Sequence, residues 1–211
     1  MNLTIFGASG GTGTCLVEQA LAAGDEITAV VRDAARLAVP QHPRLRVLTA
    51  DIMDPDSINA AVTGADAVLT AVGPRGTGAT TVITDSVRSI IAAMQKTGAR
   101  RLLMLSGSIV ADDGESPFLR YLLKPVARRT FLRHVCADMR AGEAVVEASA
   151  LDWTIVRPPR LTSKPASGTY RTAVDRSLPH EFTVARADLA ACMLLLIDDP
   201  RAIGAHIGIA Q

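Results

Sequence analysis

The sequence predicts an α/β chain, a doubly wound and mostly parallel sheet with helices on both faces. Three observations carry this expectation. Short apolar runs of β character alternate with stretches of helical period along most of the chain. The first run, Asn2 to Phe6, passes through a glycine-rich turn straight into a helical stretch. The length of 211 residues, with 48% apolar residues, suits one sizeable core and leaves little room for a second.

The turn reads Gly7-Ala8-Ser9-Gly10-Gly11-Thr12-Gly13. Its glycines allow a sharp bend and a close approach of backbone to a ligand. The helix that follows, expected from Thr14 to a stop at Gly24, offers unpaired amides and a positive dipole end. Strand, glycine loop and helix in that order make a seat for the diphosphate of a dinucleotide. Gly7, Ser9, Gly10, Gly11, Thr12 and Gly13 are the candidate ligands. The spacing is Gly-x-x-Gly-x-x-Gly rather than Gly-x-Gly-x-x-Gly.

Composition narrows the partners. A net charge of +1 with 3% aromatic residues argues against a dedicated nucleic-acid binder. Cys15, Cys136 and Cys192 have no close pair, so no disulfide framework is expected and the chain reads as cytoplasmic. His42, His134, His180 and His206 are scattered without ligand spacing, so no metal site is expected. The opening residues read as strand and loop, not as a leader. The longest apolar run, residues 189–197, is too short to span a bilayer.

A second strand is expected over 26–31, ending at Arg32 and Asp33. Arg32 lies nineteen residues past Gly13, where the chain meets the adenosine ribose. A guanidinium there suits the 2′-phosphate of NADP, while Asp33 leaves NAD open. A third strand over 44–49 leads to Asp51 and Ile52, beside the adenine, although Asp51 can equally cap a turn. A helix over 54–64 and a fourth strand over 65–72 follow. Ala71, Val72 and Gly73 then open a second glycine-rich loop, Gly73-Pro74-Arg75-Gly76-Thr77-Gly78, at the same sheet edge. A helix over 79–97 and a fifth strand over 100–105 end at Ser106-Gly107-Ser108.

Residues 118–134 mix apolar and basic positions around Pro125, and could cover the open end of the site or form a solvated face. A helix over 137–150 leads to a sixth strand, which stops at Pro158-Pro159 and is expected to leave bare carbonyls. Short strands are expected over 168–174 and 181–184, a helix over 186–197 and a last strand over 205–209. The whole is expected to be one domain, 1–211, with a small substrate-side portion at about 159–185.

The glycine loop, Val31-Arg32-Asp33, the Trp153 to Pro159 run and Arg186-Ala187-Asp188-Leu189-Ala190 together resemble the atypical short-chain dehydrogenase/reductases. The branch is similar to the NAD(P)H-binding proteins related to NmrA and to biliverdin reductase B, a flavin reductase. The resemblance implies a Rossmann fold over the whole chain. It places Gly7, Gly10, Thr12 and Gly13 on the diphosphate and Arg32 on the 2′-phosphate. Asp51 and Ile52 fall at the adenine, Ala71, Val72 and Gly73 under the ribose, and Ser106, Pro158 and Pro159 at the nicotinamide.

Typical members carry Tyr-x-x-x-Lys, in which the lysine makes the tyrosine a strong enough acid to protonate a nascent alkoxide. Neither tyrosine fits: Tyr121 has Pro125 at the fourth position and Tyr170 has Val174. A flavin, quinone or tetrapyrrole spreads the charge of an added hydride and needs no such acid. The expected activity is therefore NADPH-dependent reduction of a conjugated small-molecule acceptor. Ser106, Ser108 and Tyr121 are candidates for a weak polar role, with His134 and Arg160 behind them. The alternative is an NADP(H)-binding sensor that signals to a protein partner. Epimerisation of a nucleotide sugar is disfavoured, because it needs the missing pair.

Overall fold

A computed structural model of the chain describes residues 1–76, 78–111, 132–176, 178 and 183–211. The strands are β1 (Asn2–Phe6), β2 (Glu26–Val31), β3 (Leu45–Thr49), β4 (Ala67–Thr70), β5 (Arg101–Leu105), β6 (Asp152–Arg157), β7 (Arg160–Thr162), β8 (Arg171–Val174), β9 (Thr183–Ala185) and β10 (Ala205–Ala210). The helices are α1 (Gly11–Ala23), α2 (Pro55–Val62), α3 (Val82–Thr97), α4 (Arg133–Glu147) and α5 (Arg186–Leu195).

The main sheet has eight strands in the order β3-β2-β1-β4-β5-β6-β10-β8. All its pairings are parallel except β10 with β8. β7 and β9 form a separate parallel pair, so the substrate-side portion expected at 159–185 is divided: β8 belongs to the main sheet. The central strands read as continuous apolar runs because helices cover both faces. All four residues of β4 are buried.

One core lies between the sheet and the α1 and α5 layer, holding Leu16, Val17, Leu189 and Met193. The other holds Ile58, Val87, Ile90 and Val146, from α2, α3 and α4. Gly142 lets α4 approach closely, since a side chain's first carbon there would sit 2.9 Å from Ile83 Cγ2. The Arg101 guanidinium is buried at the far end of α5, where it donates to the carbonyls of Leu196 (2.6 Å), Ile197 (2.9 Å) and Asp152 (2.8 Å). The carbonyls of Leu196 and Ile197 lie just past the last turn of α5, where helix carbonyls lack intrahelical partners.

The strand order reverses direction between β1 and β4, which both pair with their neighbours in parallel. In such sheets a crevice opens outside the carboxyl ends of the strands at that point. The loops after β1, β2, β3 and β4 all reach it.

Candidate functional site

The loop after β1 is shaped by close backbone contacts. Gly7 has φ 76°, and a first side-chain carbon there would lie 2.7 Å from the Ala71 carbonyl carbon after β4. At Gly13 that carbon would lie 2.1 Å from the Gly7 carbonyl oxygen. These two glycines thus serve the turn and the seating of α1 on it, rather than clearance for a ligand. Gly10 precedes α1 without capping it by a side chain, and no acid stands in the first turn. Among the described residues, no acceptor meets the amides of Gly11, Thr12 or Gly13. Uncapped amides at a helix start, facing a glycine cradle, fit the diphosphate of a dinucleotide.

Beside the loop lies a cleft of about 420 Å³. Gly7, Ser9 and Gly10 form one wall, Asp51 and Ile52 another, and Ala71, Val72 and Gly73 a third, with Arg32 at the mouth. The structure therefore gathers nine of the sequence-predicted positions around one cavity. Asp51 also caps its own turn, its Oδ1 accepting from the Met53 amide at 3.0 Å. Asp33 is committed likewise: its Oδ1 accepts from the Ala35 amide at 3.0 Å. Of this neighbouring pair, Arg32 lines the cleft and Asp33 does not.

Two further arginines line the same cleft, Arg36 and Arg75. Repulsion from Arg36, and then from Arg32, lowers the Arg75 guanidinium below its ordinary pKa. Three cations held where they repel one another are suited to a multiply charged anion. Sequence reasoning missed Arg36 and Arg75 as site residues. Arg36 lies four residues beyond Arg32 and Arg75 sits inside the second glycine-rich loop, but nothing local to either marks it as facing this cleft.

At the other end of the seat, Ser106 follows β5. Its amide donates to the Val156 carbonyl at 2.8 Å, and its hydroxyl is buried without a partner among the described residues. The Ser108 amide donates to the Pro158 carbonyl at 2.7 Å. The expectation of bare carbonyls after β6 is corrected at Pro158: the turn after β5 consumes that acceptor. Pro158 is buried and Pro159 half-buried. None of Ser106, Pro158 and Pro159 lines the 420 Å³ cleft. Tyr121 lies outside the described residues, as do Thr77 and most of the basic segment 118–134. His134 is half-buried and its Nε2 accepts from Arg133 Nε at 3.0 Å, while Arg160 is exposed.

Tyr170 packs against the α1 and α5 core, and burial raises its phenol pKa, which makes it a weaker acid. Glu143, Glu147 and His206 bring ligand atoms within 4.8 Å of one another, a grouping not foreseen from the scattered histidines. Both Glu143 oxygens are taken by the Arg157 guanidinium at 2.7 and 3.0 Å, and His206 Nε2 sits 2.9 Å from Glu147 Oε1. Among the described residues, no helix is long and apolar enough to cross a membrane.

Comparison with known proteins bears on the family and the fold. The profile of an NAD(P)H-binding family matches residues 7–200. A chloroplastic protein of Arabidopsis thaliana is 30% identical over 200 residues, covering 85% of this chain and 69% of that protein. A short-chain dehydrogenase/reductase of Veillonella parvula, solved in complex with NADP, is 20% identical with a TM-score of 0.84, covering 100% of this chain and 94% of that one. A Rossmann-fold NAD(P)-binding family protein of Shigella flexneri is 23% identical with a TM-score of 0.75, covering 100% and 93%. These last two likenesses establish the fold. With the glycine cradle, the cleft at the strand reversal and the match over residues 7–200, the chain belongs to the NAD(P)H-binding family.

Proposed function

We propose that this protein is an NADPH-dependent oxidoreductase that reduces a conjugated small-molecule acceptor of flavin, quinone or tetrapyrrole type. One observation carries the choice of NADPH: Arg32, Arg36 and Arg75 line one cleft while Asp33 is turned into a backbone cap. The 2′-phosphate of NADP is the feature of the cofactor that such a cluster recognises.

When bound, the reduced nicotinamide supplies a hydride. The protein's part is placement. The amides of Gly11, Thr12 and Gly13 would hold the diphosphate, and Ile52 and Val72 would give the adenine and ribose apolar walls. Ser106 would present its unpaired buried hydroxyl at the nicotinamide end. A serine hydroxyl is a weak proton donor, adequate for an acceptor that spreads charge and inadequate for a simple ketone. The sequence lacks the Tyr-x-x-x-Lys pair that ketone reduction would call for. Cytoplasmic residence belongs to the same proposal and is supported by three cysteines with no close pair in the sequence.

The test is an acceptor panel on purified protein with NADPH: FMN, riboflavin, quinones and biliverdin. Turnover with at least one is expected. Tight NADPH binding without turnover on any of them would instead favour a cofactor-sensing protein that acts through a protein partner.

A further inference from the structure

Arg186 stands at the first position of α5, on a base fixed to α1. Gln19 of α1 donates from Nε2 to the Ala187 carbonyl at 2.8 Å, and Leu16, Val17, Leu189 and Met193 share one core. Its side chain does not turn outward from this base. It crosses Gly11, where a first side-chain carbon would lie 2.9 Å from Arg186 Cδ and 3.0 Å from its Nε. A side chain at Gly11 would therefore push the end of the arginine aside.

That placement is electrostatically odd for the protein alone. Gly11 is the first residue of α1, whose dipole is positive there, and the first turn contains no acid. The guanidinium's side-chain partner is neutral: Nη1 donates to Ser163 Oγ at 3.0 Å. Burial and Glu18 push the Cys15 thiol pKa up, while Arg186 pulls it down, so the cation's field is felt along the first turns of α1. A guanidinium and a helix amino end that converge without an anion are stabilised once an anion joins them.

We propose that Arg186 is a side-chain ligand of the cofactor diphosphate, added to the loop amides, and that Ser163 holds its guanidinium in readiness. This rests on the NADPH reading above and extends it to a residue about 170 positions from the glycine loop. It also gives Gly11 a role distinct from those of Gly7 and Gly13: it leaves room for the cation rather than for the turn.

The test is fluorescence titration of the intact protein with NADPH, set against 2′-AMP, which occupies the adenosine end and has no diphosphate. Arg186→Gln is expected to weaken NADPH by about tenfold or more and to leave 2′-AMP affinity unchanged, with Arg186→Lys intermediate. Gly11→Ala, which displaces the arginine, is expected to follow Arg186→Gln. Thermal melts of the ligand-free variants check that each is folded. Unchanged NADPH affinity in a folded Arg186→Gln protein overturns the proposal alone. So does equal loss for NADPH and 2′-AMP, which would mark a structural role. Wild-type protein that binds no NADPH overturns the cofactor reading and this proposal together.

Discussion

Gly13 rests on the Gly7 carbonyl oxygen, so closely that a methyl group at position 13 would lie 2.1 Å from it. The contact locks the first turn of α1 onto the loop that leaves β1. Gly13→Ala cannot be absorbed by a side-chain shift, because the atom it meets is backbone. It is expected to destabilise the protein by about 3 kcal/mol and to abolish NADPH binding. Urea unfolding and fluorescence titration measure the two effects. Gly10→Ala, where the nearest atom is the Gly7 carbonyl oxygen at 3.2 Å, is expected to be milder on both.

The arginine cluster predicts a split between the two nicotinamide nucleotides. Arg32→Ala, Arg36→Ala and Arg75→Ala should each weaken NADPH by about tenfold and leave NADH nearly unchanged. The difference should shrink at high salt, because these side chains are exposed and screened. Since Arg36 and Arg32 repel Arg75 in the ligand-free protein, Arg75→Ala should not lower its melting temperature.

Asp138 of α4 caps a different helix. Its carboxylate accepts from the amides of Ile83 and Thr84 at 3.0 and 2.9 Å and from Thr84 Oγ1 at 2.6 Å. Thr81, the N-cap of α3, makes no side-chain cap bond, and Val82 at the helix start lines the cofactor cleft. Asp138→Ala leaves two buried amides and a hydroxyl without that acceptor. It should cost about 2–4 kcal/mol in urea unfolding, and any loss of NADPH affinity should be smaller than in the arginine variants.

Much of this was legible in the chain and some was not, for identifiable reasons. β2 falls on the residues expected, 26–31, because its apolar run is bounded by Asp25 and Arg32. α1 starts at Gly11 rather than Thr14: glycines that look like loop residues form its first turn. β7 was not foreseen, since three residues after two prolines carry no period. Arg36 and Arg75 leave different strands, and only the sheet order brings them to one cleft. The Pro158 carbonyl looked free because a partner 50 residues earlier in the chain, the Ser108 amide, cannot be read from the local sequence.

Burial pushes the Cys192 thiol up to about 12. The folded chain therefore keeps that proton after the unfolded chain has lost it. Stability is complete below the ordinary thiol pKa and falls as pH rises from about 9 toward about 12, by up to about 1.4 kcal/mol per pH unit. Urea titrations across this range should show a shallower decline in Cys192→Ala than in wild type. A thiol reagent at neutral pH should spare the buried Cys136 and Cys192 until the protein unfolds.

The central claim is that the cleft beside the glycine loop takes the phosphorylated nucleotide. Side-by-side fluorescence titration of wild-type protein with NADPH and NADH tests it most directly. NADPH binding at least about tenfold tighter than NADH is the predicted result. Equal affinities, or a preference for NADH, would contradict it.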